Sequence, residues 1–117
     1  IYTHNAKNRI KQELLELVER VQGLGAGEIV INSIDNDGLM KGYDLDLIEK
    51  VKNRLNIPMT ALGGAGAIED IGTVIDKFGI ICCAAGSLFV FKGKYKAVLI
   101  NYPNHEIKKQ IINKNII

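Results

Sequence analysis

Three short stretches of small and polar residues hold most of the chemistry this sequence offers: Asp35-Asn36-Asp37-Gly38, Gly63-Gly64-Ala65-Gly66 and Gly86-Ser87. Each closes a compact apolar run, which places it where a strand gives way to a loop. Glycine lets the main chain come close to a ligand, and the N–H groups at the start of a following helix can hold an anion without a basic side chain. Phosphate is the natural guest of such a site. Asp35 and Asp37 could also hydrogen-bond a hydroxyl-rich substrate or shape an acid–base site. Plainer roles stay open, because Gly-Gly and Asp37-Gly38 both make turns and Asp35 can brace loop amides. Two glycine loops in register weigh against turns alone. Asn32 and Ser33 point to opposite sides of their strand, and the sequence does not fix which one faces inward.

Other chemistries find less support. Gly64-Ala65-Gly66-Ala67-Ile68-Glu69 imitates a dinucleotide fingerprint, but Glu69 stands where the third glycine belongs, and we set that reading aside. Cys82 and Cys83 are adjacent in an apolar run, where neighbouring strand side chains diverge, so they are expected to be buried thiols rather than a disulfide. The two histidines, His4 and His105, lie near opposite ends, and no metal or other cofactor is expected. Fifteen basic and 13 acidic side chains are spread along 117 residues for a net charge of +2, which argues against nucleic acid or acidic membranes as partners. The longest apolar run, Ile80 to Ala85, is far short of the ~20 residues a membrane span needs, and no secretory signal heads the chain. A cytoplasmic location is the default expectation.

The elements that must position the loops follow from periodicity. Leu14, Leu17, Val18, Val21 and Leu24 recur at three- and four-residue spacing, giving an amphipathic helix from Ile10 that Gly23 and Gly25 stop. Glu28 to Ile34 reads as a buried strand. A second helix starts near Asp44 and runs to about Leu55, with Asp44, Asp46 and Glu49 suited to its dipole. Ile57 to Leu62 is a second strand, and a third helix runs from about Ala67 to Phe78, ended by Gly79. Ile80 to Ala85 is a third strand, continuous in hydrophobicity as one covered on both faces should be. In the tail, Ala97 to Tyr102 suggests an extra strand and Glu106 to Ile112 a short helix, while Lys92, Lys94 and Lys96 form a solvated edge.

Alternating helices and strands imply an α/β fold with parallel pairing. Three strands cannot close a barrel, and a complete (β/α)8 barrel takes roughly 250 residues. Either residues outside this chain supply the remaining strands, or a second copy pairs through the open sheet edges to make a homodimer. The chain starts at Ile1 rather than Met, which favours an upstream portion having been cut or omitted.

Gly25-Ala26-Gly27-Glu28-Ile29, Ser33-Ile34-Asp35-Asn36-Asp37-Gly38, Gly42-Tyr43-Asp44 and Gly63-Gly64-Ala65-Gly66 resemble the cyclase subunit family of imidazole glycerol phosphate synthase, over nearly the whole chain. The resemblance implies the C-terminal half of a single TIM-barrel domain spanning 1–117. It further implies a lyase of histidine biosynthesis that takes ammonia from a glutaminase partner and cyclises a ribulosyl phosphate precursor to imidazole glycerol phosphate and aminoimidazole carboxamide ribotide. Carried over residue by residue, it makes Asp37, Gly38, Gly63, Gly64, Gly86 and Ser87 contacts to a substrate phosphate and puts Asp35 at the mouth. The family's catalytic aspartates belong upstream of Ile1-Tyr2-Thr3, so no residue here is assigned as catalytic acid or base and the chain alone should be inert. Leu62 stands where histidine-pathway enzymes usually have serine, and Asn32 replaces a usual threonine. The tail, Gly86 to Gly93 with Ala97 to Pro103, resembles a paralogous branch that supplies ammonia for sugar amidation in surface-polysaccharide pathways. A non-catalytic phosphate-binding half-barrel is a third reading.

Overall fold

The computed structural model describes residues 1–114 and begins with a feature the sequence did not announce. Strands β1 (Tyr2–Thr3) and β2 (Asn8–Arg9) form a small antiparallel hairpin, pairing Tyr2 with Arg9 and Thr3 with Asn8. Its turn holds His4, Asn5 and Ala6 at positive φ without a glycine. Helix α1 (Leu14–Gly23) follows, then β3 (Ile29–Asn32), α2 (Leu45–Lys52), β4 (Met59–Leu62), α3 (Ile68–Phe78) and β5 (Cys82–Cys83). The chain then forms a one-turn helix α4 (Ser87–Val90), a second small hairpin of β6 (Phe91–Lys92) and β7 (Ala97–Val98), and helix α5 (His105–Asn113).

The central sheet has the order β3-β4-β5, parallel throughout, with Val30 opposite Thr60 and Thr60 opposite Cys82. One face of it meets the helices. Met59 and Ala61 are buried there with Val18 of α1, Ile48 and Val51 of α2 and Val74 of α3, and Ile29, Ile31 and Cys83 pack against this cluster. Val51 and Val74 are wholly inaccessible to solvent. The helix layer is also tied at its surface, where Arg54 meets Glu19 at 2.8 Å and Lys77 meets Glu49 at 3.1 Å; exposed pairs of this kind contribute at most about 1 kcal/mol each. Asp44 caps α2 by accepting the Leu47 N–H at 3.0 Å, and Asn104 caps α5 through the Ile107 N–H at 2.9 Å.

The opposite sheet face carries Val30, Thr60 and Cys82 and has no such cover among the described residues, leaving Val30 57% exposed. This corrects two expectations. The third strand is not covered on both faces, and of the two thiols Cys82 is exposed while Cys83 is only half-buried. Its ladder is also shorter than the apolar run suggested: Ile80 is 99% exposed, and Gly79, at positive φ, has only just ended α3. The tail strand is likewise curtailed, to Ala97–Val98, because its partner strand is only two residues long after α4 occupies 87–90. Beyond it Leu99 N–H donates to Val90 O and Asn101 N–H to Phe89 O, so the segment lies along the end of α4 instead of widening a sheet. Lys92, Lys94 and Lys96 are exposed on and beside the β6–β7 turn. Among the described residues no helix is long and apolar enough to cross a membrane.

Candidate functional site

The loops that follow β3, β4 and β5 meet at one end of the parallel sheet and enclose a small depression. Asp37 and Gly38 form one wall, Leu62 to Ala65 the second, and Ala85, Gly86 and Ser87 the third. Six residues singled out from the sequence, Asp37, Gly38, Gly63, Gly64, Gly86 and Ser87, are therefore neighbours here. Asp35 is not with them. It lines a wider cleft bounded by the β1–β2 hairpin, the end of β3 and the start of α2.

Local folding explains why the first wall takes its shape. The Ser33 N–H continues the ladder to Leu62 O at 3.0 Å, and the Ser33 carbonyl then accepts the N–H groups of Asn36 and Asp37 at 3.1 and 2.9 Å. The chain is turned sharply by these bonds, and Gly38 follows at φ 76°. Ser33 is buried, while Asn32 is exposed and its amide lies 3.5 Å from the Asp37 carboxylate, which settles the alternation left open by the sequence. The Asp37 N–H is already given to Ser33, so it is not a free donor to the depression.

Close backbone packing dictates the second wall. A Cβ on Gly64 would stand 2.1 Å from the Gly42 carbonyl oxygen, and one on Gly66 2.2 Å from that of Met40. Gly64 also has φ 106°, a region closed to ordinary side chains. The approach is fixed by a hydrogen bond from Gly42 N–H to Gly64 O at 2.9 Å. Among the described residues, no protein acceptor faces the N–H groups of Gly38, Gly64, Ala65 or Ser87. These main-chain groups are the donors an anion could use.

The start of α3 does not join them. Asp70 Oδ2 accepts the N–H of Gly66 at 2.8 Å and of Ala67 at 2.9 Å, so this helix caps itself with its own carboxylate. The idea that each helix start following a glycine loop lends its donors to a ligand fails at this position.

Two residues to which the sequence assigned no site role, Tyr43 and Asp70, support the walls. Tyr43 is buried, and its hydroxyl donates to Ala84 O at 2.8 Å, across 41 residues of sequence. Burial, with lesser contributions from Cys83 and then Asp70, raises its phenol well above the ordinary range, so it stays a donor at neutral pH. Burial likewise pushes the Cys83 thiol up to about 11, with Cys82 adding to the effect. Asp70 could have been found from an acid placed three residues into a helix that lacks a side-chain cap. For Tyr43 no such local signal exists, because its partner is distant in sequence.

Among the described residues no group of three metal-ligating side chains converges. Nor, among the described residues, does a cationic side chain line the depression. What it offers is a group of main-chain N–H donors that an anion could use.

Comparison with known proteins adds an independent line. Residues 1–96 match the family model described as histidine biosynthesis protein. A Vibrio vulnificus protein provisionally named imidazole glycerol phosphate synthase subunit hisF3 is 51% identical over 111 residues, covering 95% of this chain and 43% of its own length. A Leptospira borgpetersenii protein of similar provisional name is 50% identical over 95% of the chain and 44% of its own length. The Dehalococcoides mccartyi imidazole glycerol phosphate synthase subunit HisF is 38% identical over 99% of the chain and 43% of its own length. The chain thus spans less than half the length of these relatives.

Proposed function

Since the chain belongs to the histidine biosynthesis protein family, whose fold is the TIM barrel, we propose that it is the C-terminal portion of a cyclase subunit of the imidazole glycerol phosphate synthase type and that it grips one phosphate of the substrate. The observation that carries the proposal is the meeting of three strand-end loops in one depression, with main-chain donors at Gly38, Gly64, Ala65 and Ser87. In a (β/α)8 barrel this is the end where substrates bind and where loops of the last strands hold phosphate. The identity to proteins named as this synthase supports the reaction class.

In this reading the whole protein works in the cytoplasm, receives ammonia from a glutaminase partner and cyclises a ribulosyl phosphate substrate. The acid and base come from the remainder of the barrel, and this chain alone is inactive. Asp35, in the cleft beside the phosphate cup, lines the mouth of the site. The uncovered sheet face carrying Val30, Thr60 and Cys82 fits the interior of a barrel closed by further strands.

One feature favours a second reading, ammonia supply for sugar amidation. Leu62 lines the cup at the position where histidine-pathway enzymes usually have serine. Turnover of the ribulosyl substrate by the full-length protein, with free ammonia supplied, separates the two. Product formation supports the cyclase, and its absence in a folded protein that still binds phosphate supports the amidation role. The phosphate grip itself is tested by melting in phosphate: an anion held only by the folded state adds about 2.7 kcal/mol at a hundred times its dissociation constant. An unchanged melting curve would remove the proposal's physical basis.

A further inference from the structure

The geometry points to Tyr43 as the positioning residue of the phosphate cup, its hydroxyl holding the β5 loop in register with the other two walls. This inference rests on the phosphate reading above and deepens it.

The three walls come from separate parts of the chain, and something must hold them at a common distance from the anion. The Gly42-Tyr43 dipeptide bonds to both of the others. Gly42 N–H binds Gly64 O at 2.9 Å, tying the segment after β3 to the loop after β4. The Tyr43 hydroxyl binds Ala84 O at 2.8 Å, tying the same segment to the residues just before Ala85, Gly86 and Ser87. The β5 side needs such a tie. Its ladder to β4 is only two residues long, Thr60 with Cys82 and Ala61 with Cys83, and ends with Ala84 N–H on Ala61 O at 2.8 Å. The Ala84 carbonyl has then left the β4 ladder and is held by the phenol instead. Tyr43 is itself fixed by burial in the core cluster with Ile48 and Ala65, so the donor has little freedom to follow a moving loop. Hydrogen-bond donors that are set before the ligand arrives bind more tightly than donors that must be ordered by it.

The test compares the parent protein with Tyr43→Phe, which removes only the hydroxyl, and with Ile71→Val, a core change at a residue that does not line the cup and sets the scale for simple loss of stability. Inorganic phosphate is the probe. Its dissociation constant is measured by calorimetry, and amide hydrogen exchange is followed at Ala85 to Ser87. Tyr43→Phe should weaken phosphate about tenfold, the equivalent of one hydrogen bond's worth of ordering, and speed exchange at those amides. Ile71→Val should lower the melting temperature while leaving both readouts at the parent values. Equal phosphate affinity in Tyr43→Phe and the parent would overturn the assignment while leaving the phosphate reading intact. A matching loss in Ile71→Val would reduce Tyr43 to a stability effect and overturn it as well. No binding by the parent chain would overturn both.

Discussion

The Asp70 carboxylate accepts the main-chain N–H of Gly66 at 2.8 Å, and by the same oxygen that of Ala67 at 2.9 Å, so the first turn of α3 is satisfied from within. Replacing Asp70 by Ala removes this cap and its favourable charge at the helix N-terminus, a loss of about 1 kcal/mol. At about 4 °C per kcal/mol the melting temperature should fall by a few degrees. Phosphate affinity should hold or improve, since the variant removes a negative charge near the cup and no proposed donor. A large loss of phosphate binding would show that α3 takes part in the grip.

Glycine substitutions should rank by the space around each Cβ. Gly64→Ala meets the Gly42 carbonyl at 2.1 Å and adds left-handed strain at φ 106°, so it should cost more than about 2 kcal/mol and abolish phosphate protection. Gly38→Ala has nothing within 4 Å and suffers strain alone at φ 76°, about 1 kcal/mol. Paired thermal melts with and without phosphate check the order, and equal losses at the two sites would contradict the packing described.

Core and surface should separate as sharply. Val74→Ala empties a wholly buried position and should cost about 2 kcal/mol from lost transfer energy and cavity. Ile80→Ala, at a residue 99% exposed, should fall within about 0.5 kcal/mol of the parent. Urea titration of both variants decides this.

Alkaline pH should destabilise the fold. Cys83 titrates near 9 when unperturbed and is pushed up to about 11 in the folded chain, and Tyr43 moves in the same direction. The folded state therefore holds these protons more firmly than the unfolded state does. The Cys83 share of the associated stability is complete below pH 9 and is lost as pH climbs from about 9 through 11, and the Tyr43 share starts to fall only above about pH 10. Melting temperatures between pH 8 and 11 should decline across that window, and Cys83→Ala should flatten part of the slope. At pH 8 a thiol reagent should label exposed Cys82 well before Cys83.

Much of this architecture is legible in the residue pattern. The three-residue and four-residue spacing of Leu14, Val18 and Val21, or of Ile71, Val74 and Ile75, marks helices because helical geometry is local. The glycine loops are equally plain, since few residues fit left-handed or crowded backbone. The β1–β2 hairpin stays hidden because its turn, His4-Asn5-Ala6-Lys7, lacks the glycine that usually signals such a bend. The exposure of Cys82 and Ile80 stays hidden for another reason: a hydrophobic run reports what a strand is suited to bury, while burial itself depends on which partners are at hand. Tyr43 and Ala84 belong to the same class, being joined only once the chain has wound through two further strands and two helices.

Where a grip is made of peptide amides, side-chain truncation passes over it unseen. An alanine scan of the cup would leave the N–H groups at Gly38, Gly64, Ala65 and Ser87 in place, registering only damage to the backbone that carries them. Sequence drift around such a depression can thus change the side chains beside the amides, at Leu62 for one, while the donors themselves stay in place.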